Sequence, residues 1–292
     1  MSVKLNHLVS FADSRLQKAL DRLRMQAEQF EIFDTMHLFN EKDLSENFKS
    51  RMKGRLVAGS RGFGYWTWKP EVISLALEAM DPDECLLYVD AGCHLNVNGR
   101  LRMLDYFDAV SKSPNGVIAF QANPPNEQNS KLVHDGRFLF NQPNYQWIKG
   151  DAFEYFGVKG NVRATHVQAI GAGVILLRNC SSARAIINEW RELAITRFDL
   201  FDDSPSKSPN LDGFVEHRHD QAVWTLLCMK HNVNTLSAYE YWYPRQQGRR
   251  MNPDWEALHA FPVLAKRDIS LGFFDAISLS MSRLSRYTRK AN

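Results

Sequence analysis

Five consecutive apolar residues, Cys85–Val89, run straight into Asp90, Ala91 and Gly92 within the stretch ECLLYVDAGCHLN at 84–96. A continuous apolar run of this length, bounded by polar residues and glycine, predicts a strand buried on both faces of a helix-covered sheet. A carboxylate at the carboxyl end of such a strand lies where open α/β sheets take their ligands, in the crevice beyond the strand ends. Gly92 leaves room for a ligand or metal to come close to the backbone. Aspartate also caps turns for purely local reasons, so the rest of the chain has to decide.

The length of 292 residues fits one large α/β domain or two smaller ones. A composition 44% hydrophobic and 24% charged is that of an ordinary globular protein, and a formal charge of +3 does not point to a nucleic-acid partner. Tryptophan and tyrosine gather at 65–68 and 239–243, which suits recognition of something flat or carbohydrate-like, although large cores use aromatics too. Cys85, Cys93, Cys180 and Cys228 form no CxxC pair, so free thiols in a reducing compartment are expected rather than a zinc site or disulfides. Asn6, His7 and Ser10 break the apolar character of the N-terminal segment, and no stretch reaches the roughly 18 apolar residues of a membrane span. A soluble, cytoplasmic protein is expected.

Residues 7–12 predict a first strand, followed by a helix with Leu16, Ala19, Leu20, Leu23 and Ala27 on its apolar face. Residues 30–33 predict a second strand and 38–57 a polar helix. This is the opening of a doubly wound α/β domain, and the end of its first strand, Phe11 and Ala12, is a natural place for a base or ribose. Gly59, Gly62 and Gly64 predict a loop that includes Arg61 and leads into Tyr65, Trp66 and Trp68. Pro70 then opens a helix, and Lys69 just before it either meets an anion at the helix amino end or is solvated beside core aromatics.

After Asp90 the pattern predicts a helix over 101–111, a strand over 116–121 and a long polar segment over 123–131. A turn into a helix follows over 145–156, with Lys149 before it and Asp151 as its N-cap. Residues 166–177 predict a second buried strand entered through Gly171, Ala172 and Gly173, and Ser181 starts a helix. Residues 201–215 predict a loop, 217–229 a helix with Asp220 and Gln221 in its first turn, and 234–243 a strand. Near the end, Phe274, Ile277, Met281 and Leu284 lie opposite Arg283, Arg286 and Arg289. That pattern suits a basic helix at a membrane surface, or equally a terminal helix packed on the domain.

Three local patterns stand in fixed order: YWTWKPEVISLALEAMDPDECLLYVDAGC, IGAGVILLRNCSSARAIINEW and HDQAVWTLL. In this order they resemble nucleotide-sugar glycosyltransferases of the GT-A fold. The resemblance is strongest to the retaining glycogenin-like and xylosyltransferase-like enzymes and to bacterial surface-polysaccharide transferases with a YWxWKP segment, and it covers about residues 5–240. It implies an α/β, Rossmann-like mixed sheet flanked by helices, in a single glycosyltransferase domain over 1–245. A C-terminal helical extension, 246–292, would complete the site and touch the membrane surface through 273–290.

In that family the strand-end aspartate belongs to an Asp-x-Asp motif that holds Mn2+ or Mg2+ against the donor diphosphate. Here Asp90-Ala91-Gly92 lacks the second acid, so a metal would rest on Asp90, with His259 or His94 added, plus phosphates and water. Otherwise Lys69 and nearby arginines would neutralise the phosphates. The resemblance places Phe11, Ala12, Arg61, Tyr65, Trp68, Lys69, Asp90, Ala91, Gly92, Gly171, Ala172 and Gly173 around the donor. Lys149, Asp151 and His219 would shape the sugar or acceptor pocket. Asp220 and Gln221 match the family's acid–glutamine pair beside the anomeric carbon. In a retaining enzyme Asp220 would bind sugar hydroxyls and Gln221 steady the oxocarbenium-like transition state; in an inverting one Asp220 or Glu216 would deprotonate the acceptor.

The implied function is transfer of a hexose from a nucleoside-diphosphate donor, UDP-linked, to a glycan acceptor in bacterial O-antigen or capsule synthesis. A polyprenyl-linked acceptor would bring the enzyme to the inner face of the membrane. The alternative is a non-catalytic nucleotide-sugar or carbohydrate-binding protein on the same fold. A nucleotidyltransferase is a third reading, against which stands the lack of a glycine-rich phosphate loop.

Overall fold

A computed structural model describes residues 5–132, 141–247 and 250–268. In chain order its strands are β1 (Asn6–Phe11), β2 (Thr35–Phe39), β3 (Cys85–Val89), β4 (His94–Leu95), β5 (Val117–Gln121), β6 (Ile170–Arg178), β7 (Asn234–Ser237), β8 (Pro244–Gln247), β9 (Arg250–Pro253) and β10 (Val263–Leu264). Six of them form one sheet in the order β2-β1-β3-β6-β5-β7, while β4 pairs with β10 and β8 with β9. Within the sheet β6 alone is antiparallel to its neighbours, β3 and β5. The carboxyl ends of five strands and the amino end of β6 therefore share one edge.

The period-two alternation of the strands separates two apolar layers. Leu86 and Tyr88 of β3 face the helices Lys69–Glu78, Ser181–Thr196 and His219–Lys230, whereas Cys85, Leu87 and Val89 face Gln17–Glu28 and Arg100–Ser111. Every residue of β3 is buried, as the unbroken apolar run requires. The mixed sheet flanked by helices is the architecture expected from the sequence.

The second strand lies elsewhere than expected. Residues 30–33 close the first helix: the Phe30 amide donates to Ala27 O at 3.0 Å, Phe30 is fully buried, and Glu31 turns the chain with φ 49°. These residues fill the core from a turn, while β2 is an edge strand of half-exposed residues whose apolar pattern is weak. The expected helix over 38–57 shrinks to Glu46–Arg51, capped by the Ser45 side chain. The expected strand over 234–243 stops at Ser237, where its hydroxyl caps a turn. Asp151 lies in the first turn of the helix Gly150–Tyr155, whose N-cap position is Lys149.

All four cysteines are free. Among the described residues no helix is long and apolar enough to cross a membrane. The amphipathic segment 273–290 lies outside the described residues. Residues 261–268 run back along the sheet edge: β10 pairs with β4, the Asn96 amide donates to Pro262 O at 2.9 Å, and the Asp268 amide donates to Gly92 O at 2.9 Å.

Candidate active site

Lys69 opens the helix Lys69–Glu78, where Pro70 fits because the first turn needs no amide donor. It is 1% exposed, and its ammonium donates to Asp220 Oδ2 at 2.7 Å and to Ala172 O at 2.8 Å. The same nitrogen stands 3.1 Å from Asp90 Oδ1. One buried charge therefore ties together the end of β3, the entry of β6 and the start of the helix His219–Lys230. Lys69, Asp90, Ala172 and Asp220 come from all three sequence patterns.

Burial pushes the Lys69 ammonium down, but Asp220 and Asp90 outweigh it and raise its pKa. Asp220 moves upward, to about 6, because burial and the charge of Asp90 together exceed the help of Lys69 and of the Gln221 amide. The two shifts agree physically, since one ammonium serves two carboxylates. Tyr88 donates its hydroxyl to Asp90 Oδ1 at 2.6 Å, and burial and Asp90 hold that phenol well above its usual range. The Asp220 side chain is 9% exposed and that of Asp90 36%, so Asp90 is the carboxylate that faces solvent.

The glycines of β6 are matched to this arrangement. A Cβ on Gly173 would stand 2.9 Å from Asp90 Oδ2, and one on Gly171 would stand 2.1 Å from the Tyr241 hydroxyl. Ala91 is buried with Ala12, Ala19 and Leu20, and its carbonyl accepts from Arg22 at 2.8 Å. Phe11 stacks on Trp68 with ring centroids 4.0 Å apart, both rings in the core, and Trp68 Nε1 donates to Gly62 O at 2.9 Å.

The expected glycine loop is a single left-handed turn. Gly62, Phe63, Gly64, Tyr65 and Trp66 all have φ between 51° and 88°, and the Tyr65 and Trp66 amides donate to Arg61 O and Gly62 O. The turn sets Tyr65 and Trp66 against the His219 ring, at 5.0 and 5.8 Å. His219 also has a left-handed φ, 49°, directly before Asp220. Its Nδ1 donates to Phe201 O at 2.6 Å, which leaves Nε2 a buried lone pair without a hydrogen bond. Burial first, then Arg61, lowers its pKa to about 4, so the ring is neutral.

The other expected site residues have surroundings of their own. Lys149 is 2% exposed and donates to Asp202 O at 3.1 Å, while the Asp151 carboxylate accepts from the Ser208 and Lys207 amides at 2.7 and 3.0 Å. Glu216 pairs with Arg218 at 3.1 Å, and Arg61 with Asp203 at 3.3 Å. Gln221 is half-buried beside Asp220. His259 is exposed; its Nδ1 lies 3.1 Å from Glu256 O, and its carbonyl accepts from Asn96. His94 contacts Asp268 at 3.1 Å and Gln26 at 3.2 Å.

Of the expected metal pair, Asp90 contacts Lys69 and Tyr88, and His259 contacts Glu256 O and Asn96. Among the described residues no group of three or more His, Cys, Asp and Glu side chains is placed to hold a metal ion. Asp90 carries an ammonium and a phenol on Oδ1, and by itself it would offer a divalent cation a single carboxylate. The sequence reading missed Tyr88 as a partner of Asp90. Tyr88 was hidden as one more apolar residue of β3, while Arg218, directly before His219-Asp220, was visible as a neighbour of the acid.

No protein-family model and no curated protein matches the chain. Among solved structures it is similar to a glycosyltransferase involved in glycosylation of the major capsid of PBCV-1, at 10% identity over 96% of this chain and 99% of that one, with a TM-score of 0.45. It is similar to mouse xyloside xylosyltransferase 1 in its apo form, at 13% identity over 82% and 87% of the two chains, with a TM-score of 0.39. A third likeness is to 4-diphosphocytidyl-2C-methyl-D-erythritol synthase from Anaerococcus prevotii, at 14% identity over 78% and 99%, with a TM-score of 0.32.

Proposed function

We propose that the chain is a GT-A-type glycosyltransferase that moves a hexose from a UDP-linked donor to a glycan acceptor of a bacterial surface polysaccharide, with retention at the anomeric carbon. The observation that carries this reading is the meeting of Asp90, Lys69, Ala172 and Asp220 on one buried ammonium at the ligand-binding edge of the sheet. Around it the geometry supports a division of labour. Asp220, ionised above about pH 6 and shielded from water, stabilises positive charge developing at the anomeric carbon. Gln221 lies beside it. The sugar–diphosphate bond breaks, the acceptor oxygen bonds to the same carbon, and the acceptor proton passes to the departing phosphate oxygen. Glu216, held by Arg218, is the weaker candidate for a base. The basic amphipathic pattern of 273–290 supports a polyprenyl-linked acceptor at the inner face of a membrane.

A panel of nucleotide sugars, followed for nucleoside diphosphate release and sugar transfer, tests the reading. The expected result is turnover of one UDP-hexose, falling about a hundred- to a thousandfold in Asp220→Asn while the circular dichroism is unchanged. Tight binding of a nucleotide sugar with no turnover by the wild type would leave a binding protein. Pyrophosphate released from a nucleoside triphosphate and a sugar phosphate would leave a nucleotidyltransferase.

A further inference from the structure

Three arginines stand on the segments next to Asp90, Asp220 and the left-handed turn. Arg218 leads into His219 and Asp220, with its guanidinium 4.2 Å above the Trp147 ring. The Cα of Arg267 lies 3.4 Å from where a Cβ on Gly92 would be, so the residue is set against the loop that follows Asp90. Its side chain is exposed, and its charge acts on Cys93 and Tyr241, the same groups that Asp90 acts on. Arg61 stands on the left-handed turn, and its charge acts on His219.

The cations also act on one another. Burial, then Arg267 and Arg61, lowers the pKa of Arg218 although Glu216 opposes them. Geometry supports the same grouping: Arg267 lies against the loop after Asp90, Arg218 stands two residues before Asp220, and Lys69 bridges those two acids. Among the described residues the acids pairing with the three arginines are Glu216 and Asp203, two carboxylates against three guanidinium groups. Lys69 does not supply an anion site, since its ammonium is enclosed by its own two carboxylates.

We propose that the donor diphosphate is held and neutralised by the guanidinium groups of Arg218 and Arg267, with Arg61 beside them, in place of a divalent metal ion. The proposal rests on the donor reading above and gives it a ligand chemistry. A planar guanidinium presents paired donors that match phosphate oxygens, and it remains charged at any working pH. It also explains how the chain manages without the second acid after Asp90: the charge that a metal would bring is already carried by the protein.

Titration calorimetry on the full chain tests it, with inorganic pyrophosphate as a base-independent probe in EDTA, and UDP in EDTA or with Mn2+. Both probes should bind in EDTA, and Mn2+ should leave the affinity for UDP unchanged. Arg267→Ala, at an exposed side chain, should weaken both about ten- to a hundredfold with the melting temperature preserved, and Arg218→Ala should do the same. Binding of UDP only in the presence of Mn2+ overturns the arginine proposal and leaves the transferase standing. Metal-free binding unchanged in both variants overturns it equally. Absence of binding by either probe under all conditions removes the donor reading as well.

Discussion

Lys69, Asp90 and Asp220 together carry two carboxylates and one ammonium, a net negative charge when both acids are ionised. The folded pKa of Asp220, about 6, lies above its ordinary value of 3.8, so ionising it works against the fold. The stability contributed by the neutral form is complete below about pH 4 and is lost as pH rises through 6. Asp220→Asn leaves Lys69 with Asp90 alone, a loss at every pH, and against that offset the variant should gain on the wild type as pH rises from 4 to 7, as read from urea denaturation at each pH. Catalysis has the opposite sign, because the reaction uses the ionised form. The wild-type rate should fall as pH drops through about 6, with an acid limb of slope one in kcat; a flat profile down to pH 5 would show that Asp220 does not work as an anion.

The left-handed turn at residues 62–66 shows what an element can hide from its sequence. Phe63, Tyr65 and Trp66 each sit where a side chain costs about 1–2 kcal/mol, and the surrounding bonds hold them there. Ser60 accepts from the Gly64 amide, and Thr67 donates its hydroxyl to Gly64 O. Gly64→Ala would add a Cβ 2.8 Å from Arg55 O at φ 88°, so a loss of about 2–4 kcal/mol is expected in denaturation. The same variant should lower turnover, because the turn carries Tyr65 and Trp66 to His219. The glycines made a turn legible, but not its handedness, which depends on contacts with residues 55–60 and 219. β3 and β6 were legible because burial on both faces leaves an uninterrupted apolar run. β2 was not, since an edge strand needs no such run, and Phe30 imitated one from a turn. At the site, Asp90, the β6 glycines and Asp220 could each be singled out in the sequence. That Lys69 would point inward to bridge the two acids could not, because nothing local distinguishes a buried lysine from a solvated one.

At the scale of the whole molecule the site depends on a segment far from it in sequence. Residues 261–268 lie along β4 and the Asp90 loop, and Arg22 clamps the junction through the carbonyls of Ala91 and Asp268. Gly99 makes this approach close: a Cβ there would stand 2.2 Å from the Pro262 nitrogen. Gly99→Ala should displace β10 from β4 and cost about 1–3 kcal/mol, with faster hydrogen exchange at the Asn96 amide as its local signature. It should also weaken binding of pyrophosphate, since Arg267 rides on the same segment. The sheet order adds a further dependence, because β6 inserts between β3 and β5 and brings its glycines to Asp90 only after both partners exist. For a chain made from its amino end, the consequence is one of timing. Asp90 leaves the ribosome early, the Lys69 bridge must wait for Asp220, and the guanidinium of Arg267 arrives last. A nascent chain halted before residue 261 would hold most of the sheet and still lack one of the guanidinium groups proposed to hold the donor diphosphate.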